Sequence, residues 1–129
     1  MSYFAAILAT LAAFQAKHLI CDFLLQTRYQ VENKGFYGDI GGLAHASCHI
    51  LFSIPVLLIL TQSVPLIVPA LIFEFIVHYH MDWFKARLVR LKGWSTQDYS
   101  YWIVFGVDQF VHQMTYIAMI AWLLLRGAV

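Results

Sequence analysis

"HLICDFLLQ", residues 18–26, closes an apolar run that begins at Tyr3 and sets His18, Asp22 and Gln26 four residues apart. In an α-helix that spacing puts three polar side chains on one face, a turn apart. A run this long and apolar reads as a membrane span, so its polar line has to face something other than lipid. Composition agrees. Of the 129 residues, 61% are hydrophobic and 12% charged, with mean hydropathy +0.70, whereas soluble domains are about 45–50% apolar and about 25% charged. The expected class is an all-α integral membrane protein. The formal net charge of +1 and the lack of a basic run point away from nucleic acid as a partner. Cys21 and Cys48 lie in apolar segments, imply no disulfide framework, and read as small core fillers.

Spanning a bilayer takes about 20 helical residues, and the chain divides into four such pieces. This predicts one domain over 1–129, an antiparallel bundle of four transmembrane helices at about 3–26, 43–62, 65–85 and 101–125. "QSVP", residues 62–65, joins the middle pair, with Pro65 at a first helical position where its missing N–H is not needed. "STQD", residues 95–98, resembles a capping box with Asp in place of Glu, predicting that Ser95 starts the fourth helix before it enters the membrane. The first segment lacks a basic n-region and carries His18 and Asp22 where the apolar core of a secretory signal would continue, so it reads as a retained helix. Arg28, Lys34, Lys85, Arg87, Arg90 and Lys92 fall on one side of the spans and Arg126 alone on the other. That bias predicts a cytoplasmic basic side and non-cytoplasmic termini. Trp83, Trp94, Tyr99, Tyr101 and Trp102 gather on the same side, as an interfacial belt does.

Every predicted helix repeats the opening pattern. "LAHASCH" (43–49) gives His45 and His49, "EFIVHYHMDWFK" (74–85) gives Glu74, His78 and Asp82, and "DQFVH" (108–112) gives Asp108 and His112. At about 1.5 Å per residue, His18, His49, His78 and Asp108 all lie roughly 9–12 Å in from the basic side. A central Asp costs about 2.5–3.5 kcal/mol on insertion scales, so His18, Asp22, His45, His49, His78, Asp82, Asp108 and His112 turned to lipid would cost on the order of 10–20 kcal/mol. They are expected to converge. One such pair is commonly only an interhelical hydrogen-bond partner, but four at one depth ask for a common occupant. His80, two residues from both His78 and Asp82, is expected to face away. Glu74 lies a turn deeper with its role open, Lys17 is expected to snorkel, and Gln15, Gln109 and Gln113 read as interhelical hydrogen-bonding groups.

"HLICDFLLQT" with Lys34 downstream, "HASCH", "HMDWFK" and "DQFVH" together resemble the domain of unknown function 3307 family of small bacterial and phage membrane proteins, over nearly the whole chain. The resemblance implies a multi-pass protein of the bacterial inner membrane and brings no established activity. A more distant similarity, in the layout of polar pairs, is to inner-membrane metal-dependent hydrolases.

Imidazole with carboxylate suits zinc, manganese or iron better than magnesium or calcium. Five histidines and three aspartates exceed one tetrahedral site. Either two ions share bridging carboxylates, or some of these residues orient the ligands. The expected function is metal-dependent hydrolysis of a lipid or amphipathic substrate, such as a phosphate ester or isoprenoid, from the cytoplasmic side. Asp82, nearest the mouth, is the candidate general base, and Gln26, Lys34 and Lys85 are candidates for the headgroup. Metal or proton transport along the polar line is the alternative. A haem carrier using two facing histidines fits less well with three carboxylates among them. Membrane lipid is the expected partner, and a homo-oligomer stays open.

Overall fold

The polar pairs ride on four long helices in the computed structural model, which describes residues 2–127. Helix α1 spans Tyr3–Leu19 and runs on into a π-helical turn, Ile20–Leu24. Then follow α2 (Arg28–Asn33), α3 (Ile40–Leu57), α4 (Val64–Lys92) and α5 (Tyr99–Leu125), and the described residues contain no strand. Helix α3 packs on α1 and α4, and α5 packs on α4 and α1, closing a ring of four. Directions alternate around it. Lys17 meets His49 and Glu74, while Asp22, further along α1, meets His45, which lies earlier in α3; Asp82, later in α4, meets His112 of α5.

Three of the four predicted spans are long and apolar enough to cross a membrane: Tyr3–Leu24, Ile40–Leu57 and Val64–Lys92. Helix α5 matches them in length at 27 residues, but Asp108, Gln109, His112 and Gln113 dilute its apolar character. The outer surface is apolar, with Leu8, Leu51, Ile72 and Phe110 exposed. Inside, the bundle has two halves. One is filled by Phe14, Leu57, Ile67, Met119 and Leu123, where close packing rather than water exclusion holds helices together in lipid. The other half holds the polar side chains. The Phe14 ring stacks on Tyr116 at 4.7 Å at the border.

Helix ends differ from the sequence reading for local reasons. Regular α1 geometry stops at Leu19, and the helix leaves at Leu24 rather than residue 26. Helix α3 begins at Ile40, not 43, because the Asp39 carboxylate accepts the Gly41 N–H at 2.7 Å. It ends at Leu57, not 62, two residues after Pro55, whose ring crowds the carbonyl four residues back and whose nitrogen donates nothing. The turn is therefore residues 58–63, longer than "QSVP". Pro65 does sit in the first turn of α4. That helix runs past Lys85 to Lys92, where Gly93 at φ 65° stops it and the Trp94 N–H reaches Val89 O at 3.1 Å. The cap of α5 is Asp98 rather than Ser95. The Asp98 carboxylate accepts from the Ser95 N–H at 2.7 Å and from its hydroxyl at 3.0 Å, closing a turn ahead of the helix.

Helix α2 falls where a loop was expected. "TRYQ", residues 27–30, forms a full capping box: Thr27 Oγ1 accepts the Gln30 N–H at 3.3 Å and Gln30 Oε1 accepts the Thr27 N–H at 2.9 Å. The segment after it lies tight against α4. A Cβ on Gly35 would sit 3.2 Å from the Ala86 backbone, so a larger residue there would push the segment off α4 by a few tenths of an ångström. The close approach carries the neighbouring Lys34 to Asp82.

Candidate metal centre

Asp22 is the hub of the polar half. The π-turn that carries it is closed by the Leu25 N–H on Ile20 O at 2.9 Å, and such widened turns recur at functional sites. Asp22 Oδ1 lies 3.0 Å from His49 Nε2 and 3.1 Å from His45 Nε2, while Oδ2 lies 3.1 Å from His18 Nε2. Gln26, beyond the helix end, still reaches the site, with Nε2 3.0 Å from His45 Nε2.

From α3 the cluster crosses to α4 and α5. His45 Nε2 is 3.4 Å from His78 Nε2 and 3.1 Å from Asp82 Oδ2. Asp82 then lies between two imidazoles, its Oδ2 3.5 Å from His78 Nε2 and its Oδ1 3.5 Å from His112 Nε2. Two donor sets result, in each of which one atom per residue lies within 4.8 Å of all the others: Asp22, His45, His49 and His78, and then His78, Asp82 and His112. His78 belongs to both. His18 and Asp108 adjoin these sets without joining them.

Ligand bonds of about 2.0–2.1 Å in a tetrahedron place neighbouring donors about 3.3–3.4 Å apart; the closest contacts within the sets run from 3.0 to 3.5 Å, and all donors of a set lie within 4.8 Å of one another. Two fully buried atoms add to this. Asp108 Oδ1 and His112 Nε2 have no hydrogen-bond partner, although they lie 3.3 Å apart; both face the same interior. Asp22, Glu74, Asp82 and Asp108 are four carboxylates against the three ammonium groups of Lys17, Lys34 and Lys85. A buried uncompensated charge is costly, and either an imidazolium of the cluster or a bound cation balances the fourth.

The lysines are all engaged. Lys34 Nζ donates to Asp82 Oδ2 at 3.3 Å, and Lys85 Nζ donates to Asp108 Oδ2 at 2.8 Å, with Asp82 Oδ1 4.0 Å away. Lys17 does not snorkel. It is 3% exposed, pairs with Glu74, and lies 3.2 Å from His49 Nδ1. Glu74, on the α4 line of His78 and Asp82, supplies the counter-charge that turns this ammonium inward.

Around the sets, the His18 nitrogens meet Tyr116 OH at 2.8 Å and Gln109 Oε1 at 3.1 Å. Sequence reasoning missed Tyr116, although it continues the α5 line one turn from His112. His80 faces outward as expected, with Nε2 3.1 Å from Tyr37 OH, and Gln15 is exposed. All eleven candidate residues thus belong to one connected polar network.

Residues 10–128 match the sequence profile of a family described as a protein of unknown function (DUF3307). No curated protein and no solved structure matches the chain, so the more distant likeness to hydrolases has no match behind it.

Proposed function

Because the chain belongs to the DUF3307 family of proteins of unknown function, its activity has to be read from the site, and we propose a membrane-embedded, metal-dependent hydrolase acting on a lipid or amphipathic phosphate ester from the cytoplasmic side. The observation that carries this is the pair of His/Asp donor sets sharing His78, in each of which the donor atoms lie within 4.8 Å of one another. One or two zinc, manganese or iron ions fit this donor chemistry.

In this reading α5 is the fourth span of the bundle. Its exposed Ile103, Val107, Phe110 and Ile117 form a lipid-facing side that supports it, and Asp108 and His112 point into the ring. Apart from the buried Lys17, six of the seven Lys and Arg residues fall on the end nearer Asp82, which supports placing that end in the cytoplasm of a bacterial inner-membrane protein. A reporter fused after α5 is expected on the non-cytoplasmic side, and activity of a cytoplasm-only reporter there would invert the orientation.

A divalent ion held by these residues would supply Lewis acidity and make water at the site more acidic. The protein side of the chemistry divides among the carboxylates. Asp22 and Asp82, which each face several imidazoles, would act as ligands. Asp108, whose Oδ1 has no partner, takes the proton; this moves the base role from Asp82, the choice suggested by its place at the mouth. His18, held by Tyr116 and Gln109, orients Asp22. Lys34 and Lys85 now cover Asp82 and Asp108. An anionic headgroup draws these ammonium groups onto itself and uncovers both carboxylates, while Gln26 donates from the side of α1.

A second reading, metal or proton passage, is favoured by one observation. Beyond His49 the polar line continues one turn deeper through Lys17 and Glu74, and the buried Glu74 Oε2 and Ser53 Oγ have no partner. Past them, Ala70, Leu57 and Met119 close the axis. The deciding experiment offers phospholipids and isoprenoid phosphates to zinc-, manganese- or iron-loaded protein, and measures ion and proton flux in proteoliposomes alongside. Product release that disappears on chelation is expected, without flux. Flux without turnover on any substrate would replace hydrolysis by transport.

A further inference from the structure

Beside the donor sets, and part of neither, two thiols face each other across the α1–α3 interface. Cys21 Sγ, on the π-turn, lies 3.9 Å from Cys48 Sγ on α3, and both are free. Cys21 is completely buried, whereas Cys48 is half-buried. Each is the chain neighbour of a site residue. Asp22 follows Cys21 and His49 follows Cys48, and those two side chains themselves lie 3.0 Å apart.

We propose that Cys21 and Cys48 are a site of reversible oxidation, closing a disulfide that ties the π-turn carrying Asp22 to the α3 segment carrying His45 and His49. A disulfide needs its sulfurs about 2.05 Å apart, so closing it brings them together by about 2 Å from their 3.9 Å separation. The oxidant is a disulfide of a small apolar thiol. Unequal exposure sets the order of events. The Cys48 sulfur, deprotonated, attacks one sulfur of the reagent, and the reagent's S–S bond breaks to release one small thiol. The Cys21 sulfur then attacks Cys48, the mixed disulfide breaks, and a second small thiol leaves. Two protein thiols are oxidised, one external disulfide is reduced to two thiols, and the two protons leave with them.

Dithiodipyridine, a small apolar disulfide, tests this on the folded, detergent-purified protein by intact mass and thiopyridone release. The wild type is expected to release two thiopyridones per chain and to lose two hydrogen masses without any adduct, and a dithiol should restore both thiols. Cys21→Ala should stop at a stable pyridyl adduct on Cys48, with one thiopyridone released. Cys48→Ala should react many-fold more slowly, because its remaining thiol is buried. A native wild type that keeps a pyridyl adduct on either cysteine, or keeps two free thiols after prolonged treatment, would overturn the proposal. So would Cys48→Ala reacting as fast as Cys21→Ala.

Discussion

Replacing His78 by alanine is expected to lower bound metal, emptying the set left with only Asp82 and His112 and weakening the set left with three donors. His78 is the one imidazole common to both donor sets. Without it the first set keeps Asp22, His45 and His49, and the second only Asp82 and His112. Two donors do not hold a divalent ion against a chelator, and three leave an open, weakened site. His18→Ala is the contrast, because His18 adjoins Asp22 without joining either set. Loss of a residue that orients a ligand typically costs about 10–100-fold in metal affinity, so His18→Ala should still fill at saturating metal. Elemental analysis of both variants, with helicity checked by circular dichroism, separates the cases. Metal content and chelator resistance unchanged in His78→Ala would show that His78 is not a ligand and that the set it forms with Asp82 and His112 is not a binding site.

Asp108→Asn is expected to lower turnover by about 10²- to 10⁴-fold, the usual cost of removing a general base, with metal content unchanged. Asparagine keeps the size of the side chain, and its oxygen can still accept from Lys85, which now donates to Asp108 Oδ2 at 2.8 Å. Only the proton acceptor at Oδ1 is removed. Asp82→Asn should behave differently and lose metal together with turnover, because Asp82 faces His45, His78 and His112 at once. Undiminished turnover in Asp108→Asn would return the base role to Asp82 or place it on substrate.

Period and composition made the helices legible, and the i, i+4 pairs made the site legible. Asp22, His49, His78 and His112 were found from spacing alone, because lipid leaves buried polar groups no solvent and they must converge. Places where tertiary demands override local regularity were not legible. Nothing in "ICDFL" signals a π-turn; the wider turn satisfies Asp22, which meets three imidazoles from two helices. Pro55 did carry its signal, since a proline ends or kinks a helix nearby, and so did Gly93 and the Thr27/Gln30 box. A uniform span of about 20 residues takes no account of such signals. The Lys17–Glu74 pair was hidden for another reason. Lys17 stands off the polar line of its own helix and Glu74 at the deep end of its line, and only the closed ring, which sets α1 and α4 on opposite sides of one axis, lets the two side chains meet.

The central claim is that the polar half of the bundle holds metal, and the most direct test is the metal-to-protein ratio of wild-type chain purified in detergent without chelator. One or two transition-metal ions per chain are expected, removable by a chelator and restored by zinc, manganese or iron. A ratio near zero, unchanged after loading with each of these ions, would contradict the account and leave a hydrogen-bonded network in place of a metal centre.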